Sequence, residues 1–146
     1  MKAKYFIFDL DDTLFYEIDF LISAYKEIAR TLGDENLYIT MFQWFQEEID
    51  VFAKIETLYK VSKIVLIHQY RQHNPTIVLN DGAEFLLKEL KREGHYLGLI
   101  SDGRSLTQRN KLKALRIENL FDKIIISEEF GSSKPDERNF ETFTTE

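Results

Sequence analysis

The chain has 146 residues, of which 44% are hydrophobic, so it is long and apolar enough to form one domain with a buried core. It contains no cysteine, which excludes disulfide bonds, thiolate catalysis and cysteine-ligated zinc; its net charge of −6, with no basic stripe, argues against nucleic-acid binding. No apolar run approaches the length of a membrane span and the amino terminus has no signal-peptide pattern, so we expect a cytoplasmic protein with no membrane partner.

The first predicted element is a short buried strand from Lys4 to Phe8, and two carboxylates follow it at once. Asp9 and Asp11 are spaced by one residue, so at the carboxyl end of a parallel strand both side chains can reach one reacting centre. One carboxylate can then act as a nucleophile while the other transfers the proton, provided that a cation screens their repulsion. The alternative interpretation is that these acids cap a helix that begins near Phe15.

Helical periodicity replaces the strand pattern from Phe15 to about Gln72. Three successive apolar stripes predict three helices, which run from Ile18 to Leu32, from Phe42 to Tyr59 and from Val61 to Tyr70. Thr40 is the predicted N-cap of the second helix, and the third ends before Asn74-Pro75 because proline disfavours helical geometry in the residue before it. We therefore predict a helical insertion over residues 15–76.

The second half of the chain alternates between helical and strand patterns. A helix starts at Asp81-Gly82, a strand runs from Tyr96 to Ile100, a helix from Arg104 to Leu115 and a further strand from Lys123 to Ser127. Helices between strands at this spacing imply parallel strands joined by helical crossovers. The predicted fold class is therefore α/β: a Rossmann-like parallel sheet core of about three strands, formed by residues 1–14 and 77–146, with an inserted α-helical cap at residues 15–76.

Two further segments place polar side chains at the ends of predicted strands. Ser101, followed by Asp102-Gly103, comes at the end of the second strand, where ligands bind in open parallel sheets. A hydroxyl together with the backbone N–H groups of that turn suits a phosphoryl oxygen, and a simple helix cap is the alternative. Lys134 lies in a glycine-serine turn after the third strand and precedes a proline. Its ammonium group can neutralise an aspartate and an incoming phosphate together.

The three segments Phe6–Leu14, Tyr96–Gly103 and Ile124–Asp136 resemble, in order and in position, the first three motifs of the haloacid dehalogenase (HAD) superfamily. Asp9–Thr13 has the DxDxT form that is typical of the phosphatases and phosphomutases in that superfamily. The resemblance implies a hydrolase that transfers the phosphoryl group of a small phosphorylated metabolite to water through an aspartyl-phosphate.

The resemblance also implies a role for each candidate residue. Asp9 would be the nucleophile, and Asp11 would protonate the leaving group and later activate water. Ser101 would hold a phosphoryl oxygen together with the turn at Asp102-Gly103, and Lys134 would stabilise the charge of the reacting centre. A magnesium ion, Mg²⁺, would bind Asp9 and the backbone carbonyl of Asp11.

Members of the superfamily carry a fourth motif, acidic residues that complete the magnesium site after one further helix and strand. Here Asp136 and Glu137 begin the helix predicted after Lys134, and no strand with an acidic cluster follows, so we expect an incomplete metal site. Two alternatives therefore stay open. One is a truncated or catalytically inactive HAD-fold protein that serves as a binding or interaction module; the other is a phosphomutase, which shares all of these motifs.

The same resemblance predicts self-association. In the fold that this chain resembles, the strand of the fourth motif pairs with the strand that carries Asp9. Without that partner, Lys4–Phe8 forms an apolar sheet edge with unpaired N–H and C=O groups, an arrangement that soluble proteins avoid. We expect the chain to associate through this edge, as a dimer or as an aggregate.

Overall fold

The computed structural model describes residues 2–144 and divides into two units. The first, the sheet unit, consists of Met1–Glu17 and Ile77–Glu146, and the second, the helical unit, is Ile18–Thr76. In chain order the helices are α1 (Glu17–Thr31), α2 (Leu37–Gln46), α3 (Val51–Tyr59), α4 (Lys63–Gln72), α5 (Ala83–Arg92), α6 (Ser105–Leu115), α7 (Ser127–Phe130) and α8 (Arg138–Glu141). None of the helices in the described residues is both long enough and apolar enough to cross a membrane.

The sheet unit is built on three parallel strands. They are β1 (Tyr5–Phe8), β2 (Tyr96–Ser101) and β3 (Lys123–Ile126), in the order β1-β2-β3 across the sheet. The predicted α/β fold with a three-stranded parallel sheet is thereby confirmed. Because the strands are parallel, the residues that follow them lie along one edge, where ligands bind in open sheets. β1 is an outer strand of the described sheet, and self-association through it stays a prediction.

The middle strand, β2, is buried along almost its whole length. Leu97 and Leu99 are fully buried, and Gly98 lies against the ring of Phe143. A Cβ atom at Gly98 would lie 2.3 Å from that ring, so the missing side chain is what allows the close approach. Phe143 also meets the ring of Tyr5 edge-on, with 5.3 Å between the ring centroids. The chain after α8 therefore packs directly on β1 and β2.

The helical unit has a hydrophobic core of its own. Helix α1 contributes Tyr25, Ile28 and Ala29, which are buried on one face at helical spacing. The other helices and their flanks complete the core with Leu37, Met41, Val51, Ile55 and Leu66. Because side chains from all four helices share one cluster, α1–α4 form a packed helical body.

The second helix predicted in this unit is wrong in its bounds. Instead of one helix that ends at Tyr59 with Thr40 as its N-cap, α2 already begins at Leu37 and ends at Gln46, and α3 begins at Val51. The break has two causes. Glu48 takes a left-handed φ of 59°, which stops α2, and the Asp50 carboxylate accepts the N–H of Ala53, which caps α3.

Asp122, just before β3, fixes the start of β2. Its Oδ2 accepts the Leu97 N–H at 2.8 Å, its own N–H donates to the Leu97 carbonyl at 2.8 Å, and Lys91 Nζ lies 3.1 Å from Oδ1. Burial acts to raise the pKa of Asp122, but the hydrogen bonds from Leu97 and Lys91 outweigh it and the net pKa is lowered. The ionised carboxylate is therefore stabilised in the folded state.

We expect Asp122→Ala to lower the free energy of unfolding by about 1–3 kcal/mol at neutral pH, because it leaves the buried Leu97 N–H without its acceptor. The charge-dependent part of this difference is present above about pH 3.9, the ordinary aspartate pKa, and is lost as the pH falls through the lower native pKa. Urea unfolding of both proteins over this pH range measures it. Glu84→Ala, which breaks an exposed pair with Lys88, is the control and should change stability little. Equal losses from the two variants would contradict the assignment.

Candidate active site

The turn after β1 keeps two carboxylates at the carboxyl edge of the sheet. Leu10 and Leu14 are buried, and the Leu14 N–H donates to the Leu10 carbonyl at 3.0 Å, which closes the turn. Asp12 has a φ of 58°, a left-handed conformation that aspartate adopts more readily than most L-residues. Asp9 is exposed and Asp11 is half-buried, so both acids have access to solvent.

Asp9 forms an ion pair with Lys134 across the edge of the sheet. Lys134 Nζ lies 2.8 Å from Asp9 Oδ1, and the Leu10 N–H donates to the same oxygen at 2.8 Å. Among the described residues no group donates a hydrogen bond to the other oxygen, Oδ2. With 45% of the Asp9 side chain exposed, a ligand from solvent can reach Oδ2. The two sequence-predicted residues are thus in direct contact, although 125 positions separate them.

The loop that carries Lys134 is held to the turn after β2. The Lys134 N–H donates to Asp102 Oδ1 at 3.0 Å. The Gly103 N–H donates to Ser127 Oγ at 2.8 Å, and the Ser127 hydroxyl donates back to the Gly103 carbonyl at 3.2 Å. Asp102 therefore positions the lysine loop, and the Gly103 N–H is engaged with Ser127 rather than directed at an open anion site.

Ser101, the last residue of β2, is fully buried. Its Oγ accepts a hydrogen bond from Gln108 Nε2 at 2.5 Å. The same Gln108 nitrogen donates to Asp11 Oδ2 at 2.9 Å, so one amide group joins two of the sequence-predicted residues. Ser101 and Asp11 are brought together through Gln108.

Asp11 also pairs with a buried lysine. Lys111 Nζ lies 2.7 Å from Asp11 Oδ1, and only 4% of the lysine side chain is exposed. Helix α6 carries both Gln108 and Lys111 and thereby supplies partners for both carboxylate oxygens of Asp11. The candidate site consequently has two cations, Lys134 beside Asp9 and Lys111 beside Asp11.

Sequence reasoning missed Gln108 and Lys111, although a signal was present. Both lie at the helical spacing of Leu112 and Leu115, the apolar residues that α6 buries. Polar side chains within such a stripe must find partners inside the protein, because their burial is otherwise unfavourable. A glutamine and a lysine on the apolar face of a helix that directly follows Ser101 therefore indicated buried polar contacts.

Glu17, at the start of α1, adds a further acid to this edge. Burial, followed by the negative charge of Asp11, raises the pKa of Glu17, and Asp12 and Asp9 act in the same direction. Lys111 opposes them. The edge of the sheet is thus rich in negative charge, which favours a cation there and disfavours an anionic ligand without one.

The described acids supply only part of a magnesium site. Within residues 2–144 no three histidine or acidic side chains are grouped so that they could hold a metal ion. Lys134 engages one oxygen of Asp9, and Lys111 and Gln108 engage both carboxylate oxygens of Asp11. Asp9 Oδ2 and the Asp11 carbonyl are the candidate ligands, whereas Mg²⁺ takes six oxygens. These residues alone do not fit a complete coordination sphere.

We therefore expect the 146-residue chain to bind Mg²⁺ weakly, with a dissociation constant of about 1 mM or higher, because water must supply most of the ligands. Isothermal titration calorimetry measures this affinity directly. Asp9→Asn removes the negative charge of the candidate ligand and should abolish the weak signal. Tight, stoichiometric binding that survives in Asp9→Asn would contradict both the ligand assignment and the expected weakness.

This chain is similar in sequence to a known protein family and to two curated phosphatases. A family model for haloacid dehalogenase-like hydrolases matches residues 6–146. The glyceraldehyde 3-phosphate phosphatase of Methanocaldococcus jannaschii is 33% identical over an alignment that covers 90% of this chain and 65% of that protein. The pyrophosphatase PpaX of Bacillus cereus is 25% identical over 92% of this chain and 64% of that protein. The chain thus spans just under two thirds of the length of these two curated relatives.

Solved structures share the fold. YfnB from Bacillus subtilis, described as a HAD-hydrolase bound to magnesium, superimposes with a TM-score of 0.67 at 22% identity, covering 97% of this chain and 71% of that one. A protein described as a β-phosphoglucomutase from Thermotoga maritima gives a TM-score of 0.66 at 18% identity, covering 97% and 69%. At these identities the likeness extends to the fold alone.

Proposed function

We propose that this chain, which belongs to the haloacid dehalogenase-like hydrolase family, hydrolyses the phosphate ester of a small metabolite. In the proposed reaction the phosphoryl group is carried on Asp9. The observation that carries the proposal is the contact of 2.8 Å between Lys134 Nζ and Asp9 Oδ1. It leaves Asp9 Oδ2 facing solvent beside a fixed positive charge. An exposed carboxylate oxygen next to an ammonium group is suited to attack the phosphorus of a phosphate ester, because the ammonium attracts the anionic oxygens of that group.

In the proposed first step, Asp9 Oδ2 attacks the phosphorus in line with the bond to the leaving oxygen. The new P–O bond forms as the bond to the leaving oxygen breaks, and Asp11, which carries a proton at the start of this step, gives that proton to the leaving oxygen. Lys134 neutralises charge on the transferring group. The products of this step are the free alcohol and an acyl phosphate on Asp9.

In the proposed second step, water attacks the same phosphorus. Asp11, now ionised, takes a proton from that water, and the bond between phosphorus and Asp9 Oδ2 breaks, which releases orthophosphate and restores the carboxylate. The Ser101 hydroxyl would donate to a phosphoryl oxygen in both steps, which requires that its Oγ, fully buried in this structure, becomes accessible to the phosphate. Asp9 and the backbone carbonyl of Asp11 are the groups that would hold Mg²⁺, which would supply positive charge to offset the negative charge of the phosphate.

The proposed substrate class is a small phosphorylated metabolite. It is supported by the phosphatases among the relatives, whose names refer to glyceraldehyde 3-phosphate and to pyrophosphate. Those two compounds are therefore the natural probes for this chain, next to an aryl phosphate that reports on chemistry without demands on recognition.

The test is phosphate release from 4-nitrophenyl phosphate, glyceraldehyde 3-phosphate and pyrophosphate, with Mg²⁺ and with EDTA. We expect release from at least one substrate that requires Mg²⁺ and is absent in Asp9→Asn. No release above that of Asp9→Asn from any of the three would contradict the proposal and favour a binding module. A rearranged sugar phosphate without release of orthophosphate, from a hexose 1-phosphate added as a fourth substrate, would identify a phosphomutase instead.

A further inference from the structure

We infer that Gln108 and Lys111 are positioning residues that hold Asp11 and Ser101 in the geometry for phosphoryl transfer. The inference rests on the proposed function of this site. It concerns two side chains of α6 that contact neither the phosphorus nor the leaving oxygen in the proposed steps and act through the residues they bind.

Both side chains lie on the inward face of α6. Gln108 and Lys111 are three residues apart, which places them on one side of a helix. Gln108 is 2% exposed and Lys111 is 4% exposed. A lysine is very seldom buried to this extent unless it is paired, because an unpaired ammonium group loses its hydration. The burial of Lys111 therefore depends on the carboxylate that it contacts.

The two side chains fix the orientation of the Asp11 carboxylate. Lys111 Nζ donates to Oδ1 at 2.7 Å and Gln108 Nε2 donates to Oδ2 at 2.9 Å. With both oxygens held, the carboxylate cannot rotate without breaking a hydrogen bond to a buried side chain. Each ionised carboxylate oxygen has two lone pairs, so each still has one for a proton or a substrate hydrogen bond. Asp11 is thus held in place without being blocked.

The amide group of Gln108 also sets the direction of the Ser101 hydroxyl. A carboxylate only accepts hydrogen bonds, so the Gln108 nitrogen must face Asp11, and its second hydrogen points to Ser101 Oγ at 2.5 Å. Because Ser101 Oγ accepts that bond, its own hydrogen is available for donation. This is the polarity that a phosphoryl oxygen requires, since phosphoryl oxygens only accept.

The backbone around these side chains leaves room for them. A Cβ atom at Gly103 would lie 3.1 Å from Gln108 Cδ, and the φ of 143° at Gly103 is one that L-residues rarely adopt. Lys111 Nζ lies 5.7 Å from the centroid of the Phe15 ring, within range of a cation–π contact. Gly103 therefore leaves space for the Gln108 side chain, and the Phe15 ring lies beside the Lys111 ammonium group.

Kinetics can distinguish a purely structural role of Lys111 from a role that acts through Asp11. If Lys111 only supported the fold, Lys111→Met would lower turnover by the same factor whether or not Asp11 can transfer protons. If Lys111 acts through Asp11, its removal has little effect once Asp11 has lost that ability, because residues that act as a unit are not additive.

The experiment measures kcat and KM for 2,4-dinitrophenyl phosphate in Lys111→Met, Asp11→Asn and the double variant. We expect Lys111→Met to lower kcat by about 10- to 100-fold, the loss that a misplacement near 1 Å causes, with KM changed less than about threefold. In the Asp11→Asn background the further loss should be below about threefold. Lys113→Met, at an exposed position of the same helix, is the matched control and should leave kcat unchanged.

Gln108→Met provides a second route if Lys111→Met does not fold, which thermal unfolding followed by circular dichroism determines. Gln108 contacts two site residues, so its removal should still lower kcat in Asp11→Asn, through Ser101, and have little effect in the Asp11→Asn, Ser101→Ala double variant.

The inference would be overturned if Lys111→Met lowered kcat by the same factor with Asp11 and with Asn at position 11. It would also be overturned if Gln108→Met lowered kcat by the same factor in the otherwise unchanged protein and in the Asp11→Asn, Ser101→Ala double variant. Either result would leave the proposed function standing. A protein that releases no phosphate at all would contradict the proposed function and this inference together. A loss confined to KM would also overturn the inference, because it would assign these side chains to substrate binding.

Discussion

Replacing Asp9 with asparagine is expected to lower Mg²⁺-dependent phosphate release by roughly 10⁴-fold or more, which is the scale of losing a covalent nucleophile. An amide of the same size keeps an acceptor for the Leu10 N–H but cannot form the acyl phosphate. Steady-state assays with 4-nitrophenyl phosphate measure the loss.

Asp12→Asn is the matched control for this loss. Asp12 is exposed, its Oδ1 accepts the Glu17 N–H at 2.9 Å, and its φ is 58°. Asparagine can accept the same hydrogen bond and tolerates that φ, so we expect kcat to change by less than about threefold. A large loss in Asp12→Asn, or turnover retained in Asp9→Asn, would show that the nucleophile is assigned to the wrong carboxylate.

Asp11→Asn should have the second largest effect, and the effect should depend on the leaving group. General acid–base groups contribute about 10²- to 10⁴-fold, so we expect a loss of that size with an alkyl phosphate such as glyceraldehyde 3-phosphate. The dinitrophenolate of 2,4-dinitrophenyl phosphate leaves without a proton, so its first step should be nearly unaffected. The second step still needs a base, so this substrate should give a burst of dinitrophenol followed by slow turnover.

Rapid-mixing measurements of dinitrophenol release test this expectation. A burst close to one equivalent of protein in Asp11→Asn, absent in Asp9→Asn, is the expected result. The same fractional loss for both substrates, with no burst, would contradict a proton-transfer role for Asp11 and would instead indicate a contribution to binding or folding.

The parallel sheet could be predicted from the sequence because its signals are local. Each strand is a short apolar run, and polar residues follow it at the edge where parallel strands end, as Asp9 follows β1. Topology then brings Lys134 towards Asp9, since both come after strands of one parallel sheet. The contact of 2.8 Å between them also depends on the loop that carries Lys134, which Asp102 holds to the turn after β2.

The break between α2 and α3 had no comparable signal. The apolar stripe continues through both helices, and the residue in the left-handed conformation is Glu48, not the glycine or asparagine that usually marks a helix end. Only the Asp50 side chain, which caps α3, gave a hint of a new start. The left-handed conformation of Glu48 and the Asp50 cap together set the break, and neither follows from the apolar stripe.

The partners of the buried polar residues of α6 were also beyond pattern analysis. A polar residue in a helix is ordinarily assigned to solvent, and nothing local indicates that Lys111 instead meets a carboxylate 100 positions earlier. Its partner, Asp11, was predicted for its chemistry, but its surroundings depend on how α6 packs beside the β1 turn. The reactive groups were thus predictable, whereas for Gln108 and Lys111 the pattern indicated burial but not the residues that they contact.

The most direct measurement is to trap the covalent intermediate. The protein is mixed with Mg²⁺ and 2,4-dinitrophenyl phosphate and treated with sodium borohydride, which reduces an aspartyl-phosphate to homoserine, and the digested peptides are analysed by mass spectrometry. We expect homoserine at position 9 only, dependent on substrate, and more of it in Asp11→Asn, in which the second step is slow. Phosphate release without modification at Asp9, or with modification at Asp11 instead, would contradict phosphoryl transfer through Asp9.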